Sequence, residues 1–269
     1  MEFTHFLSAL STPFNSIPII PKPSVPFTVM ILSPHPDDEA IIGSLPLRLL
    51  KENNAHVVNV AVTLGSKKER QKARLQELEK ACVQLEFELI VLSEDWKEKL
   101  KELKSLIQKY QPQMILAPHL EDHHPTHIKT GKLLLQASKA IKFNSIIVWT
   151  EFWGQLKKPN LLIEVPKEVV EIQMRALECH QGEIQRNPYH LRLPAWMMDN
   201  VRRGAEVVGS VSVEAPQFPF GVIYQIQILK KGKLTNPKLQ LPFLSNFADL
   251  GQIFSEILEA ASGSKTKVK

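Results

Sequence analysis

The chain has 269 residues, of which 33 are Lys or Arg, 28 are Asp or Glu, and 43% are hydrophobic. This length and apolar content are enough for one domain with a substantial core, and they exclude a chain that is disordered throughout. Of the formal net charge of +5, three positive charges lie within the last five residues. The rest of the chain is nearly neutral and has no basic stripe, which argues against a nucleic-acid partner.

Cysteine usage and segment composition narrow the class further. Cys82 and Cys179 are far apart and neither lies in a CxxC motif, which excludes a disulfide scaffold and a cysteine-based zinc site. No apolar run approaches about 18 residues, so no transmembrane helix is expected. The N-terminus has no basic cluster before its apolar stretch and does not predict a secretory signal. We expect a cytoplasmic protein.

Residues 1–26 are interpreted as a proline-rich N-terminal arm. Five prolines forbid a long helix there: Pro13, Pro18, Pro21, Pro23 and Pro26. The apolar residues between them favour an extended arm that lies on the body of the protein. Contact with a membrane is the alternative, and it is disfavoured because the arm has no basic face.

From residue 27 onward, short apolar runs rich in β-branched residues alternate with helical stretches. The runs predict strands that are buried on both faces of a parallel sheet, at 27–33, 56–63, 88–93, 113–118 and 145–150. The stretches between them predict helices, at 38–52, 67–86, 95–110 and 126–141. This order is typical of an α/β fold with a doubly wound, mostly parallel sheet flanked by helices, as in Rossmann-like proteins.

After residue 150 the alternation is looser. Two further strands are predicted, at 160–166 and 221–231, and three helices, at 166–180, 195–208 and 245–262. We interpret residues 27–262 as a single domain, followed by a disordered basic tail at 263–269. No internal repeat is evident.

Two loops of the predicted sheet carry unusual chemistry. The first strand ends in SPHPDDEAIIGS (33–44), and the fourth ends in APHLEDHHPTHIKTG (117–131). Because ligands bind at the carboxyl ends of parallel strands, we expect these two loops to meet at one edge of the sheet.

The spacing within the loops favours a metal site. His35 and Asp38 are three residues apart with a proline after the histidine, and His124 and His127 repeat this spacing. Neutral imidazoles and a carboxylate suit Zn²⁺ or Fe²⁺, and Asp37 would be left free to act as a base. The alternative is a helix start with ordinary first-turn acids beside a solvated turn. It leaves unexplained why both clusters lie at the ligand-binding edge.

These segments resemble the PIG-L-like, or LmbE-like, zinc-dependent deacetylases. The resemblance covers residues 27–185 and rests on several elements together. They are PHPDDE, the downstream His-Pro-x-His, TLGS with the following RLQELEK helix that contains Arg74 and Glu77, and ALECHQGEIQ (176–185). The sequence departs from the family pattern at Gly182-Glu183, where Ser-Gln is usual, and at 213–218.

The resemblance implies a role for individual residues. The implied metal ligands are His35, Asp38 and His127. Asp37 would be the general base, and His124 would stabilise the oxyanion and is an alternative proton donor to the leaving amine. Arg74 would lie near the substrate sugar, and Asp95 stands where the family often has a substrate-binding acid. The implied cofactor is Zn²⁺, with Fe²⁺ or another divalent metal as the alternative.

The activity that the resemblance implies is hydrolysis of the N-acetyl group of an amino-sugar conjugate, a small-molecule substrate. Two alternatives remain: a non-catalytic sugar- or metal-binding protein on the same fold, and an amidase that acts on a non-sugar N-acyl group. A homo-oligomer is compatible with the sequence. His180 is interpreted as a structural residue, and Trp149, Phe152 and Trp153 either stack on a sugar or pack in the core.

Overall fold

The computed structural model describes residues 18–24, 26–139, 141, 143–209, 216–237, 239 and 242–262. The predicted tail at 263–269 and the first 17 residues of the predicted arm lie outside the described residues. Among the described residues, no helix is both long enough and apolar enough to cross a membrane.

The described strands form one sheet. Their bounds are β1 Thr28–Ser33, β2 His56–Ala61, β3 Glu88–Val91, β4 Met114–Pro118, β5 Ser145–Thr150, β6 Leu161–Glu164, β7 Gly221–Lys230, β8 Lys233–Thr235 and β9 Phe243–Leu244. The order across the sheet is β3-β2-β1-β4-β5-β7-β6-β9, and β8 pairs with β7. The strands from β3 to β5 are parallel to one another, whereas β7 is antiparallel to both β5 and β6. The predicted α/β fold with a mostly parallel sheet is therefore confirmed.

Helices connect the strands. Their bounds are α1 Asp38–Ile41, α2 Ser44–Asn53, α3 Lys68–Leu85, α4 Trp96–Tyr110, α5 Pro125–Ser138, α6 Lys167–Glu178, α7 Gln181–Ile184, α8 Tyr189–Val207 and α9 Leu250–Ser262.

The helices cover both faces of the sheet, which divides the core in two. Along β1, Val29 and Ile31 belong to one core cluster, and Met30 and Leu32 belong to the other. Residues of α1, α2, α3, α6, α8 and α9 complete the first cluster, and residues of α4 and α5 complete the second. A strand with apolar neighbours on both faces reads as a continuous apolar run, which is why the central strands were predictable.

Several boundaries differ from the sequence-based expectation. The helix predicted at 38–52 is divided into α1 and α2 by a break at Ile42 and Gly43, where a Cβ on Gly43 would lie 2.7 Å from the Glu39 carbonyl oxygen. Helix α8 begins at Tyr189 rather than 195, and Pro194 lies inside it. The short elements α7, β8 and β9 were not predicted.

Residues 18–24 lie against the body of the protein. The Ile19 amide donates a hydrogen bond to Glu168 Oε2 over 2.6 Å. The Lys22 amide donates to the Glu52 carbonyl oxygen over 2.6 Å, and the Asn246 side-chain amide donates to the Pro18 carbonyl oxygen over 2.8 Å.

Candidate active site

The order of the strands reverses at β1, which lies between β2 and β4. In an open α/β sheet, such a switch point leaves a crevice between the loops that follow the two neighbouring strands. These loops are the β1–α1 segment, with His35, Asp37 and Asp38, and the β4–α5 segment, with His124 and His127. The topology therefore brings both predicted clusters to one crevice.

A strained turn shapes the first loop. Asp37 has φ 118° and ψ −30°, a conformation that residues with a side chain rarely adopt and that is concentrated at functional sites. Its amide donates to Glu39 Oε2 over 3.0 Å, which helps to hold the turn. Asp38 Oδ2 then lies 2.9 Å from the amide nitrogen of His35 and 3.3 Å from its Nδ1.

A helix N-terminus shapes the second loop. His124 is the N-cap of α5, Pro125 is the first helical residue, and His127 lies in the first turn. Asp122 holds both histidines: its Oδ1 accepts from the His124 amide over 2.7 Å, and its Oδ2 lies 3.2 Å from His127 Nδ1. His119 Nε2 lies 2.9 Å from the Gly154 carbonyl oxygen, so this histidine shapes the loop.

Three imidazoles meet in the crevice. One ring nitrogen from each of His35, His124 and His127 lies within 4.8 Å of the other two. Asp38 Oδ2 lies between two of these histidines, 3.3 Å from His35 Nδ1 and 3.4 Å from His127 Nε2. The far nitrogen of His127 is held by a carboxylate, as is usual for a metal-binding histidine. The donor set therefore fits a divalent metal of the zinc type.

The charges of Asp38 and His127 depend on each other. Burial by itself would raise the pKa of Asp38, but His127 and His35 outweigh it and hold that pKa well below the usual range. Burial opposes a charge on His127 as well, yet Asp38 and Asp122 raise its pKa to about 10. Metal binding displaces protons from the groups that become ligands. A metal cation can therefore take the place of the proton that His127 holds beside Asp38.

His124 is electrostatically different from His127. Burial, together with the neighbouring His35 and His127, lowers its pKa. Its Nδ1 accepts a hydrogen bond from the Thr126 amide over 3.3 Å, so in the neutral ring the proton is on Nε2. This arrangement suits a hydrogen-bond donor better than a metal ligand.

Asp37 is a buried carboxylate with one hydroxyl partner. The Tyr189 hydroxyl donates to Asp37 Oδ2 over 2.7 Å. Burial, reinforced by Asp38, raises the pKa of Asp37 to about 8, while Tyr189 and His180 oppose the rise. A cation bound beside it would lower this pKa.

His180 lies behind the crevice and is fully buried. Its Nε2 lies 2.6 Å from Glu39 Oε1, and both side chains are fully buried. The ring is thus engaged by an acid that belongs to α1, the helix that follows the strained turn. This contact fits the structural role that the sequence favoured.

A cavity of about 670 Å³ opens over the histidines. Arg74 lines it and donates to the Pro36 carbonyl oxygen over 2.9 Å. Asp95 is not among the described residues that line it, although Glu94 and Trp96 are. The Asp95 carboxylate instead caps α4 and accepts from the amides of Lys97 and Glu98. The structure therefore gives Asp95 a capping contact in place of the predicted position at the substrate.

The three aromatic residues after β5 have different environments. Trp149 is 4% exposed and donates to Gln227 Oε1, so it belongs to the core. Phe152 packs between Tyr189 and Trp196. Trp153 is 42% exposed and lines the cavity, which leaves it as the ring available for stacking on a ligand.

Sequence reasoning missed two residues of the cavity wall, Tyr189 and Glu183. Both come from the segment beyond β6, more than 140 residues after the first loop. Tyr189 does not lie in any of the motifs that were recognised in the sequence. The departure at Gly182-Glu183 was visible in the sequence, but its partners were not.

Comparison with known families identifies the crevice segments. Residues 30–138 match the family described as PIG-L, GlcNAc-PI de-N-acetylase. This segment of the chain is therefore similar to the PIG-L family. The matched range contains both loops and all of the predicted metal ligands, whereas Glu183 and Tyr189 lie beyond it.

Solved structures share the fold of this chain. N,N'-diacetylchitobiose deacetylase from Pyrococcus horikoshii is 18% identical, with a TM-score of 0.57, over 84% of this chain and 92% of its own. The 4-carboxy-2-hydroxymuconate hydratase GalB from Pseudomonas putida is 14% identical, with a TM-score of 0.58, over 80% and 98%. The zinc-inhibited form of teicoplanin deacetylase Orf2 is 14% identical, with a TM-score of 0.57, over 77% and 98%. Likeness at these identities concerns the fold, which deacetylases share with a hydratase.

Proposed function

We propose that the protein is a zinc-dependent hydrolase that removes the N-acetyl group of an amino-sugar conjugate. One observation carries this proposal: three histidines and Asp38 converge at the switch point of the sheet, directly beside the buried carboxylate of Asp37. Metal-dependent amide hydrolysis requires side chains that hold the metal and, beside them, a separate carboxylate that can accept a proton.

His35, Asp38 and His127 would hold the metal. Asp38 Oδ2 already contacts both imidazoles, and Asp122 orients His127 from behind. The chemistry that Zn²⁺, Fe²⁺ or another divalent ion would supply here is polarisation of the amide carbonyl and activation of water. His124 is left out of this set because its Nδ1 accepts the Thr126 amide.

Asp37 is the general base in this proposal. It accepts a proton from the water whose oxygen attacks the amide carbon, and it returns that proton to the nitrogen as the carbon–nitrogen bond breaks. The hydrogen bond from Tyr189 fixes the orientation of the carboxylate. Water and amide are thus converted to a free amine and acetic acid, which ionises to acetate by losing its proton to the solvent.

His124 stabilises the charge that develops on the carbonyl oxygen. A neutral imidazole with its proton on Nε2 is a hydrogen-bond donor, and a preformed donor is effective because it needs no reorganisation during the reaction. The lowered pKa of His124 supports the neutral form. Proton donation to the leaving amine by His124 is the alternative to its return from Asp37.

The substrate class is supported by the family and by the cavity. The family is described by its de-N-acetylation of a glucosaminyl lipid, and the similar structures include a chitobiose deacetylase. The cavity of about 670 Å³ holds an exposed Trp153 and the guanidinium of Arg74, which suit the faces and hydroxyl groups of a sugar.

The proposal is tested by measuring acetate release from N-acetylglucosamine, from several of its conjugates and from non-sugar N-acetyl amides. The purified protein would be assayed after chelation and again after addition of Zn²⁺, with bound metal measured in each sample. We expect release from the sugar conjugates that chelation abolishes and Zn²⁺ restores. Release from non-sugar amides alone would overturn the substrate class. Bound metal without any release would favour a binding protein, and release without bound metal would overturn the metal dependence.

A further inference from the structure

We propose that Glu183 is a positioning residue that holds the guanidinium of Arg74 in the cavity wall so that it can bind an oxygen acceptor of the substrate. This inference rests on the proposed function for the identity of the ligand. It assigns to the Gly182-Glu183 pair, where the sequence departs from the family pattern, a specific task in recognition.

The Glu183 carboxylate is a buried hub for three arginines. It is 3% exposed. Its Oε1 lies 3.2 Å from Arg70 Nη2 and 3.5 Å from Arg74 Nη2, and its Oε2 accepts from Arg186. Burial alone would raise the pKa of Glu183, but the three guanidiniums hold it below its usual range. Glu183 is therefore negatively charged, and its charge attracts the three guanidinium groups.

Arg74 is confined on several sides. Its Nη2 donates to the Pro36 carbonyl oxygen over 2.9 Å and faces Glu183. Gly65, with φ 89°, lies against Nη1 so closely that a Cβ there would overlap the guanidinium. The Nε–H group is buried and has no hydrogen-bond partner among the described residues. Arg74 also lines the cavity, so its confined guanidinium is placed to receive an acceptor that arrives there.

Gly182 makes this arrangement possible. A Cβ at position 182 would overlap the Arg70 guanidinium, which is the flexible end of a long side chain. Any larger residue would therefore push Arg70 away from Glu183 without unfolding the helix. The Gly182 amide also donates to Glu77 Oε1 over 3.1 Å, which links this turn to α3, the helix that carries Arg74.

The chemistry identifies the group that Arg74 takes. A guanidinium has five N–H donors and no acceptor, so its ligand is a hydroxyl oxygen or an anionic oxygen of the sugar conjugate. An interaction of this kind, remote from the amide, is made equally in the ground state and the transition state. Its loss should therefore raise KM and leave kcat nearly unchanged.

The test compares Glu183→Gln with the wild-type enzyme. A charge-assisted contact is about twice as strong as a neutral one, so we expect KM to rise about fivefold or more while kcat and bound metal change less than about twofold. Glu79→Gln is the matched control, because Glu79 is an exposed acid on the same helix as Arg74. Arg74→Lys should raise KM similarly, and the double variant should be no worse than Arg74→Lys alone, because the two residues act as a unit.

A fall in kcat at unchanged KM, or independent and additive effects of the two substitutions, would overturn the proposal. Gly182→Ala provides a second variant, expected to raise KM in the wild-type background and to have no effect in Arg70→Ala.

A measurement without substrate separates this inference from the proposed function. The Nε–H resonance of Arg74 in the nuclear magnetic resonance spectrum should report a rigid side chain in the wild-type protein and a mobile one in Glu183→Gln. Equal mobility would overturn the positioning role even if acetate release is observed. If Arg74 is rigid in the wild-type protein and mobile in Glu183→Gln but no acetate is released, the positioning role is upheld and the hydrolase proposal is overturned.

Discussion

Asp37 combines a strained backbone with a buried carboxylate. Its φ of 118° is unfavourable for a residue with a side chain, by roughly 1–3 kcal/mol for conformations of this kind. The hydrogen bonds from its amide to Glu39 and from Tyr189 to its carboxylate stabilise the turn. Asp37 therefore has a fixed orientation, and its neighbour Asp38 is turned towards the histidines.

Tyr189→Phe tests this orientation. The substitution removes the 2.7 Å hydrogen bond and keeps the ring that packs near Phe152. We expect kcat for acetate release to fall about tenfold or more, because a misoriented base is inefficient, with bound metal unchanged. Tyr110→Phe is the control, since the Tyr110 hydroxyl contacts Glu88 at the opposite edge of the sheet. An unchanged kcat in Tyr189→Phe would contradict the orienting role.

His127 and His123 offer a second comparison within one loop. His127→Ala removes an imidazole that contacts Asp38 and Asp122, so we expect loss of both bound metal and turnover. His123→Ala removes an exposed imidazole four residues away and should retain both. Metal per chain, measured after reconstitution and dialysis, distinguishes the two. Retention of stoichiometric metal by His127→Ala would exclude this histidine as a ligand.

At the scale of elements, α2 is anchored by a buried ion pair. Arg48 and Glu52 are both fully buried at their side chains, and Arg48 also donates to the Glu164 carbonyl oxygen over 2.9 Å. Burial raises the pKa of Glu52, which shows how poorly this carboxylate is solvated. Helix α2 is thereby tied to β6.

Arg48→Met should be strongly destabilising. Removal of one partner of a buried pair leaves the other charge uncompensated, which lowers the free energy of unfolding by about 3–5 kcal/mol. Urea unfolding monitored by circular dichroism measures this change. Arg202→Met, which removes an exposed pair with Asp199, should leave the midpoint unchanged. A midpoint for Arg48→Met within error of the wild type would contradict the anchoring role.

Elements that are determined by their own sequence were predictable, whereas elements that depend on tertiary contacts were not. Strand β5 was predicted with the observed bounds because all six of its residues are buried and four of them are β-branched. Strands β8 and β9 have only three and two residues, and tertiary pairing rather than composition determines them. The helix break at Gly43 depends on the Glu39 carbonyl, a contact that no periodicity reveals.

The same distinction applies to the residues of the candidate site. The sequence could predict that His35, Asp38 and His127 lie together, because they follow strand ends and the sheet brings strand ends together. Asp95 was assigned to substrate binding only from its position in the sequence. In the structure its carboxylate caps α4, and this local role explains its contacts. Tyr189 and Glu183 were missed because their partners lie more than 100 residues away in the chain.

At the scale of the whole molecule, the site brings together segments that are far apart in the chain. The first loop supplies Asp37, the middle of the chain supplies His127, and the segment after β6 supplies Tyr189 and Glu183. A ligand that binds several of these segments at once binds the folded state and not the unfolded chain. Metal binding should therefore stabilise the fold as a whole.

Thermal unfolding tests this linkage. We expect Zn²⁺ to raise Tm, by an amount equivalent to about 2.7 kcal/mol at a hundredfold excess over Kd, and a chelator to reverse the rise. His127→Ala should show no rise, and His123→Ala should behave like the wild type. An equal rise in wild-type protein and His127→Ala would indicate that Zn²⁺ binds elsewhere.

The proposed mechanism requires that His35, Asp38 and His127 hold a metal while Asp37 carries out proton transfer beside it. Its most direct test is to measure bound metal and acetate release in the same samples of wild-type protein and Asp37→Asn, since asparagine tolerates the positive φ at this position. We expect about one Zn²⁺ per chain in both proteins and release from N-acetyl amino-sugar conjugates by the wild type alone. Undiminished release by Asp37→Asn, or release by wild-type protein stripped of metal, would contradict it.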